Sequence, residues 1–281
     1  MRQSTYVGIV VLFLSAGCGS ATATSLPTAP PTLSAAEINT LGVQLCQAVE
    51  DGELAKVQRL IDGEAGVDAV CNEGVLSGAT PLILAARGEH VDILQALIDA
   101  GADLDHQTES GVTALFAATV RDEVDKVRAL LEAGADPNVN PDQLPPPFLV
   151  AAGNGQVAIV RLLLDAGVDP HTVAASDNAT NVTALMKAAQ SGDAATVQVL
   201  VDAGIDVNVQ DNHGDHALNW NLFFAPDLEV TRLLLDAGSD PNIVGYRGRT
   251  ALDWALAHGD EEIVILLRDA DALTSSEVSD S

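Results

Sequence analysis

The sequence predicts an all-α solenoid of stacked helix pairs. Three observations carry this: a segment of about 33 residues recurs six times, most copies open on the same polar-to-apolar step, and all but the last close near a glycine. The most regular copy is Gly78 to Ser110, GATPLILAARGEHVDILQALIDAGADLDHQTES. Thr80-Pro81-Leu82 sets a polar N-cap before a proline at the first helical position, where the missing N–H costs nothing. Leu82, Ala85 and Ala86 make one face of this first helix, with small side chains that let a second helix come close. The second helix is expected from His90 to Ala100, with Val91, Leu94, Leu97 and Ile98 forming one stripe. Gly101 ends it by taking a left-handed conformation without Cβ strain, and the polar Asp103 to Ser110 suits a turn into the next copy.

The Thr80 position recurs as Thr113, Pro146, Thr183, His216 and Thr250, at successive spacings of 33, 33, 37, 33 and 34 residues. The terminating glycine recurs as Gly101, Gly134, Gly167, Gly204 and Gly238. With this period and the T-P-L-x-x-A opening, the chain from about Leu41 to about Leu273 resembles the ankyrin repeat family. The resemblance implies an α-solenoid of ankyrin-type helix pairs joined by β-hairpin-like turns. The histidine that usually follows T-P-L in that family is absent, its place taken by Ile83, Phe116, Leu149, Met186, Asn219 and Asp253, so the family's polar brace between turn and helix is not expected.

In chain order, Met1 to Gly17 carries one positive charge at Arg2, the apolar run Val7 to Leu14, and then Ser15-Ala16-Gly17 before Cys18. This reads as a signal peptide over 1–17, because the run is too short to span a bilayer, which needs ~20 apolar residues. Leu14-Ser15-Ala16-Gly17-Cys18 looks like a bacterial lipobox, with Ser15 where leucine is commonest, and assigns lipidation to Cys18. The alternative is an ordinary secretory signal with an incidental cysteine. Residues 18–36, rich in Ser, Thr, Ala and Pro, are expected to form a disordered tether. The repeat domain then covers 37–273: a cap repeat at 41–77, with Gln44, Gln47, Lys56 and Gln58 where a terminal face lacks a neighbour, and repeats at 78–110, 111–143, 144–180, 181–213, 214–247 and 248–273. Pro145-Pro146-Pro147 is expected to shorten the first helix of its copy, and the loop from His171 to Val182 is four residues longer than its counterparts. Asp271 stands where earlier copies have glycine, and the Ser-rich 274–281 is expected to be a disordered tail.

Composition narrows the partners. A formal net charge of −27, with 13 basic against 40 acidic residues, argues against nucleic acid, which is bound by clustered Lys and Arg. It also argues against anionic membrane surfaces except through a lipid anchor. A basic protein partner or screening by divalent cations would suit the charge, as would plain solubility in a saline habitat, and net charge speaks for solubility before it speaks for ligands. If Cys18 is lipidated, Cys46 and Cys71 remain, one in the first helix of the cap repeat and one in the turn after its second. An exported compartment permits a disulfide between them, while each could equally be a small buried hydrophobe. No catalytic constellation stands out. His213-Gly214-Asp215-His216 is the best metal candidate, but the repeat register accounts for its spacing and no third ligand is placed, so neither metal nor cofactor is expected.

Binding remains. In ankyrin-like stacks the turn tips and the exposed ends of the first helices form one concave surface, and the resemblance maps it here to Asp142 and Gln143, to Asn212, His213, Phe223 and Phe224, and to Tyr246, Arg247, Arg249 and His258. Trp220 and Trp254 stand where leucine usually packs and read as core. Tyr, Trp and Arg dominate interface hot spots, so the C-terminal cluster is the favoured docking region. The expectation is a monomeric, non-enzymatic protein-interaction module held by lipid in a bacterial envelope, on the periplasmic face or as an outer-membrane lipoprotein. An immunity or inhibitor protein masking a toxic enzyme is the alternative, and an enzyme with an unrecognised site is a third class.

Overall fold

Residues 34–71, 77–139, 144–174 and 179–280 are described by a computed structural model, and they fall almost entirely within one unit, Ala35–Ser281. Within it a short helix and a striped partner alternate: α1 (Ala35–Glu50) and α2 (Leu54–Asp62), α3 (Pro81–Arg87) and α4 (Val91–Asp99), α5 (Ala114–Val120) and α6 (Val124–Ala133), α7 (Pro147–Gly153) and α8 (Val157–Asp165). After the strands β1 (Val173–Ala174) and β2 (Val182–Thr183) come α9 (Ala184–Ser191) and α10 (Ala194–Asp202), α11 (Ala217–Phe224) and α12 (Leu228–Asp236), the 3-10 turn Tyr246–Gly248, α13 (Ala251–His258) and α14 (Glu261–Asp269), and α15 (Ser275–Asp280). First helices pack on first helices of the next pair, from α1 on α3 through α11 on α13, and second helices do likewise from α2 on α4 through α12 on α14. This is a mostly helical solenoid, each pair stabilised by its neighbours.

The periodicity of the sequence becomes columns in the core. Leu97, Leu130, Leu163, Leu200, Leu234 and Leu267 occupy one position of successive second helices, and all are wholly buried. Lys126 breaks a neighbouring column, standing where other copies bury Ile93 and Ile159. Its Nζ donates to the Gly88 carbonyl and lies 3.9 Å from the Glu123 carboxylate. Burial lowers its pKa, against the opposing pull of Glu123.

Turn tips are tied together by Asp and Asn side chains. Within a tip, Asp103, Asp136, Asp169, Asp206 and Asp240 each accept the backbone N–H two residues on. Between tips, Asp68 accepts from Asp103 N–H, Asp105 from Asp136, Asn138 from Asp169, Asn208 from Asp240 and Asn242 from Leu273. Much of the acidic surplus at this edge therefore holds backbone donors. The recurring glycine is left-handed, as at Gly134 with φ 99°, and a Cβ there would meet nothing within 4 Å, so backbone conformation selects glycine. Asp271 adopts the same conformation at φ 59°.

Cys46 and Cys71 form a disulfide that staples the cap repeat, with Cα atoms 5.8 Å apart and a sequence separation of 25. Closing a loop of that length contributes about 3 kcal/mol in the chain-entropy account.

Several expectations are corrected. Helix α1 begins at Ala35, inside the segment assigned to the tether and ahead of the Leu41 boundary. The three prolines do not shorten α7, which has 7 residues like α3 and α5, because Pro147 takes the first helical position. Thr80 occupies the N-cap of α3, but its hydroxyl is buried without a hydrogen bond, whereas Thr113, Thr183 and Thr250 accept the N–H three residues on. The long loop leads into a small hairpin, with Val173 opposite Thr183. Residues 275–280 form α15 instead of a disordered tail: Arg268 pairs with Glu277 at 3.1 Å, Glu277 caps Thr274, and Asp253 accepts the Ser275 N–H.

Candidate functional site

Four aromatic side chains of α11 and the following turn meet on the face made by first helices and turn tips. They line a groove of about 530 Å3 together with Ala179, Lys187 and Gln190 of the preceding repeat, the turn residues Asp211, His213 and Asp215, and Asn219. The aromatic lining is Trp220, Phe223, Phe224 and Tyr246. A volume of this size falls in the range of small-molecule clefts.

Asp211 organises one side. Its Oδ1 accepts the N–H groups of His213 at 2.8 Å and Asp215 at 3.0 Å, and its Oδ2 accepts the Trp220 indole N–H at 2.9 Å. One carboxylate therefore shapes the turn and fixes the tryptophan, and both residues are buried. Asp215 does the same between repeats: its Oδ1 accepts the Tyr246 N–H at 2.9 Å and the Asn219 amide at 3.1 Å. Burial pushes the Asp215 carboxyl above its ordinary range, only partly countered by those two donors. The close approach requires Gly245, where a Cβ would run into the Asp215 carboxylate and lie 2.7 Å from Asn219 Nδ2.

The rings pack edge to face. Phe223 contacts Phe224, Trp254 and Tyr246 with centroids 4.6, 4.8 and 6.0 Å apart, Trp220 lies 5.3 Å from Phe224, and His213 lies 5.4 Å from Tyr246. Each such pair is worth ~0.5–1.5 kcal/mol beyond area burial. Yet Phe223 remains 37% and Phe224 50% exposed, an apolar patch with polar surroundings on a strongly charged chain. Cations border the rings: Lys187 lies 5.4 Å from the Trp220 centroid, Arg247 5.1 Å from Tyr246 and Arg249 4.5 Å from Trp254.

Of the residues expected from sequence, His213, Phe223, Phe224 and Tyr246 line the groove, and Arg247 and Arg249 border it. Trp220 and Trp254 are buried, as read, though Trp220 also lines the groove. Asn212 is exposed but acts as a brace, exchanging hydrogen bonds with the backbone of Thr180. His258 is not part of the cluster; it lines a separate groove with Pro226, Asp260, Glu261 and Glu262 at the other end of α13. Asp142, Gln143 and Cys18 lie outside the described residues. Among the described residues no group of three or more His, Cys, Asp or Glu is placed to hold a metal, and His216 is buried while His213 is exposed. Sequence reading missed Lys187, Gln190 and Asp211, and weighed Asp215 only as part of a metal candidate. The available signal was Asn219, an amide at a position that Ile83, Leu149 and Met186 fill with apolar side chains in other copies.

Comparison with known proteins agrees with this architecture. A family model for ankyrin repeats in three copies matches residues 45–141 and 142–211, and one for ankyrin repeats in many copies matches residues 220–268. Among solved structures, an ankyrin repeat domain from Acinetobacter baumannii is similar at 32% identity and a TM-score of 0.63, over 69% of this chain and 98% of that one. The human ASB11 ankyrin repeat domain is similar at 27% identity and 0.66, over 80% and 96%. The ankyrin repeat domain of Bcl-3, described as a member of the IκB protein family, is similar at 27% identity and 0.67, over 80% and 97%. No curated protein matches the chain.

Proposed function

This chain belongs to the ankyrin repeat family, whose members typically serve as protein-interaction modules, and we propose that it docks a partner protein in the aromatic groove lined by residues between Ala179 and Tyr246. The observation that carries the reading is the exposed pair Phe223 and Phe224 within that groove. Large rings left half open cost solvation in the free protein, and interface hot spots concentrate in such aromatic positions with arginine nearby. The docking reading is tested on the complex itself. Replacing Tyr246 and Arg247 by alanine is expected to lower stability modestly, by the ~0.5–1.5 kcal/mol of each ring contact that Tyr246 makes with Phe223 and His213, and to weaken the complex by a further ~2 kcal/mol or more. Binding that survives the double change but is lost on shortening residues 171–182 would move the site to the β1–β2 loop.

The module is held by lipid in a bacterial envelope. This rests on the apolar run Val7 to Leu14 followed by Ser15-Ala16-Gly17-Cys18, and on a domain in which, among the described residues, no helix is long and apolar enough to cross a membrane. Intact-mass spectrometry of the protein from its native envelope is expected to show loss of Met1 to Gly17 and acyl mass on Cys18. A mature N-terminus elsewhere without lipid would refute the anchor and leave the docking reading untouched.

A further inference from the structure

The walls and the floor of the groove differ in chemistry. Its walls are ring faces and edges, from Trp220, Phe223, Phe224 and Tyr246. Its floor is made of acceptors. Asp211 and Asp215 line it, and neither forms an ion pair with a lysine or arginine among the described residues. Asn219 lines it too, wholly buried, with an Oδ1 that accepts no hydrogen bond. Turning the amide over would not help, because Nδ2 is the atom that donates to Asp215 Oδ1 and reaches the Ile243 carbonyl. A buried acceptor without a donor is costly, and so is a partly desolvated carboxylate without a cation. The raised pKa of Asp215 is the same imbalance read electrostatically.

We propose that, given the docking reading above, the groove takes an arginine side chain from an extended segment of a basic partner protein. Its guanidinium sits against the half-buried Asp215 carboxylate, and its stem lies between the rings. Aromatic walls attract a cation through the ring quadrupole, and the planar guanidinium combines stacking on rings with several donors for clustered acceptors. The protein's own cations show how these rings are used: Lys187, Arg247 and Arg249 rest over Trp220, Tyr246 and Trp254. Net charge of −27 draws a basic segment toward the molecule and repels an acidic one. Lys187 opposes an incoming arginine, since it is the lysine among the lining residues, and this gives the assignment a sign that can be tested.

Both tryptophans of the chain belong to this cluster, so intrinsic fluorescence of the full-length protein reports on it directly. The probes are acetyl-Gly-Arg-Gly-amide, its citrulline counterpart, which keeps the shape and loses the charge, and its glutamate counterpart. The arginine probe is expected to saturate the signal and to bind roughly tenfold tighter than citrulline. Phe223→Ala combined with Phe224→Ala should lose most of that preference, and Lys187→Gln should tighten the arginine probe several-fold while leaving the fold intact. Equal binding of the citrulline probe, tighter binding of the glutamate probe, or weaker arginine binding by Lys187→Gln each overturns the assignment. If no probe saturates while the partner complex still depends on Tyr246, the cation assignment fails and the docking reading stands.

Discussion

Leu97→Ala is expected to lower the free energy of unfolding by about 2–5 kcal/mol, measured by denaturant titration. Leu97 is wholly buried on α4, in a column that continues as Leu130 and Leu163 in the next two repeats. Truncation removes contacts that no other part of the chain can replace, because each helix pair touches only its neighbours. The contrast lies in the last repeat, where Leu256 and Ile265 are 50% and 61% exposed. Alanine at either should change stability by no more than ~0.5 kcal/mol, although the side chains are of the same size. A Leu97→Ala protein that unfolds together with its parent would mean that the repeat register is wrong.

Acidification supplies the second large effect. His216 stands at the position that four other copies give to threonine, and it is wholly buried, with the Asp240 backbone and carboxylate as its nearby electrostatic partners. Burial, the dominant cause, lowers its pKa from 6.5 to about 4. Between these values the unfolded histidine holds a proton and the folded one does not, so the unfolded state binds more protons and stability rises with pH across the window. Folding free energy is therefore lost as pH falls from about 6.5 to about 4, by ~3 kcal/mol in total. His216→Thr should remove that dependence. Asp215, with a raised pKa, acts in the opposite direction, and comparing the variant with the parent isolates the histidine. Equal pH slopes for the two proteins would rule out His216 as the source.

Repetition made the architecture legible. The glycine that must be left-handed and the leucine that fills the column recur at fixed intervals, so each copy supports the reading of the others. Contacts that depend on departures from the repeat were harder to see. Asp211 bonds Trp220 across nine residues and a turn, and Asp215 reaches the Tyr246 backbone 31 residues away, pairings that no local pattern announces. Lys126 sits at an apolar position of its helix, and its charge is met by the Gly88 carbonyl, 38 residues off, and by Glu123. The C-terminal helix has no apolar stripe; it is held by Arg268, Asp253 and a cap, so composition read it as loose. His258 and Tyr246 are close in sequence, but helix α13 runs between them, and they serve different surfaces.

The bond between Cys46 and Cys71 has a mechanical meaning once the two ends of the chain are given different tasks. If the N-terminus is held by the proposed lipid and the proposed groove is gripped near the C-terminus, the protein is loaded along the stack, and the first repeat is the link closest to that anchor. If the packing of that repeat gives way, the load passes through the covalent bond instead of paying out the segment it bypasses. Extended, that segment would add roughly 80 Å of slack. The staple therefore sets a limit on how far the groove can be pulled from its point of attachment before the second repeat begins to yield.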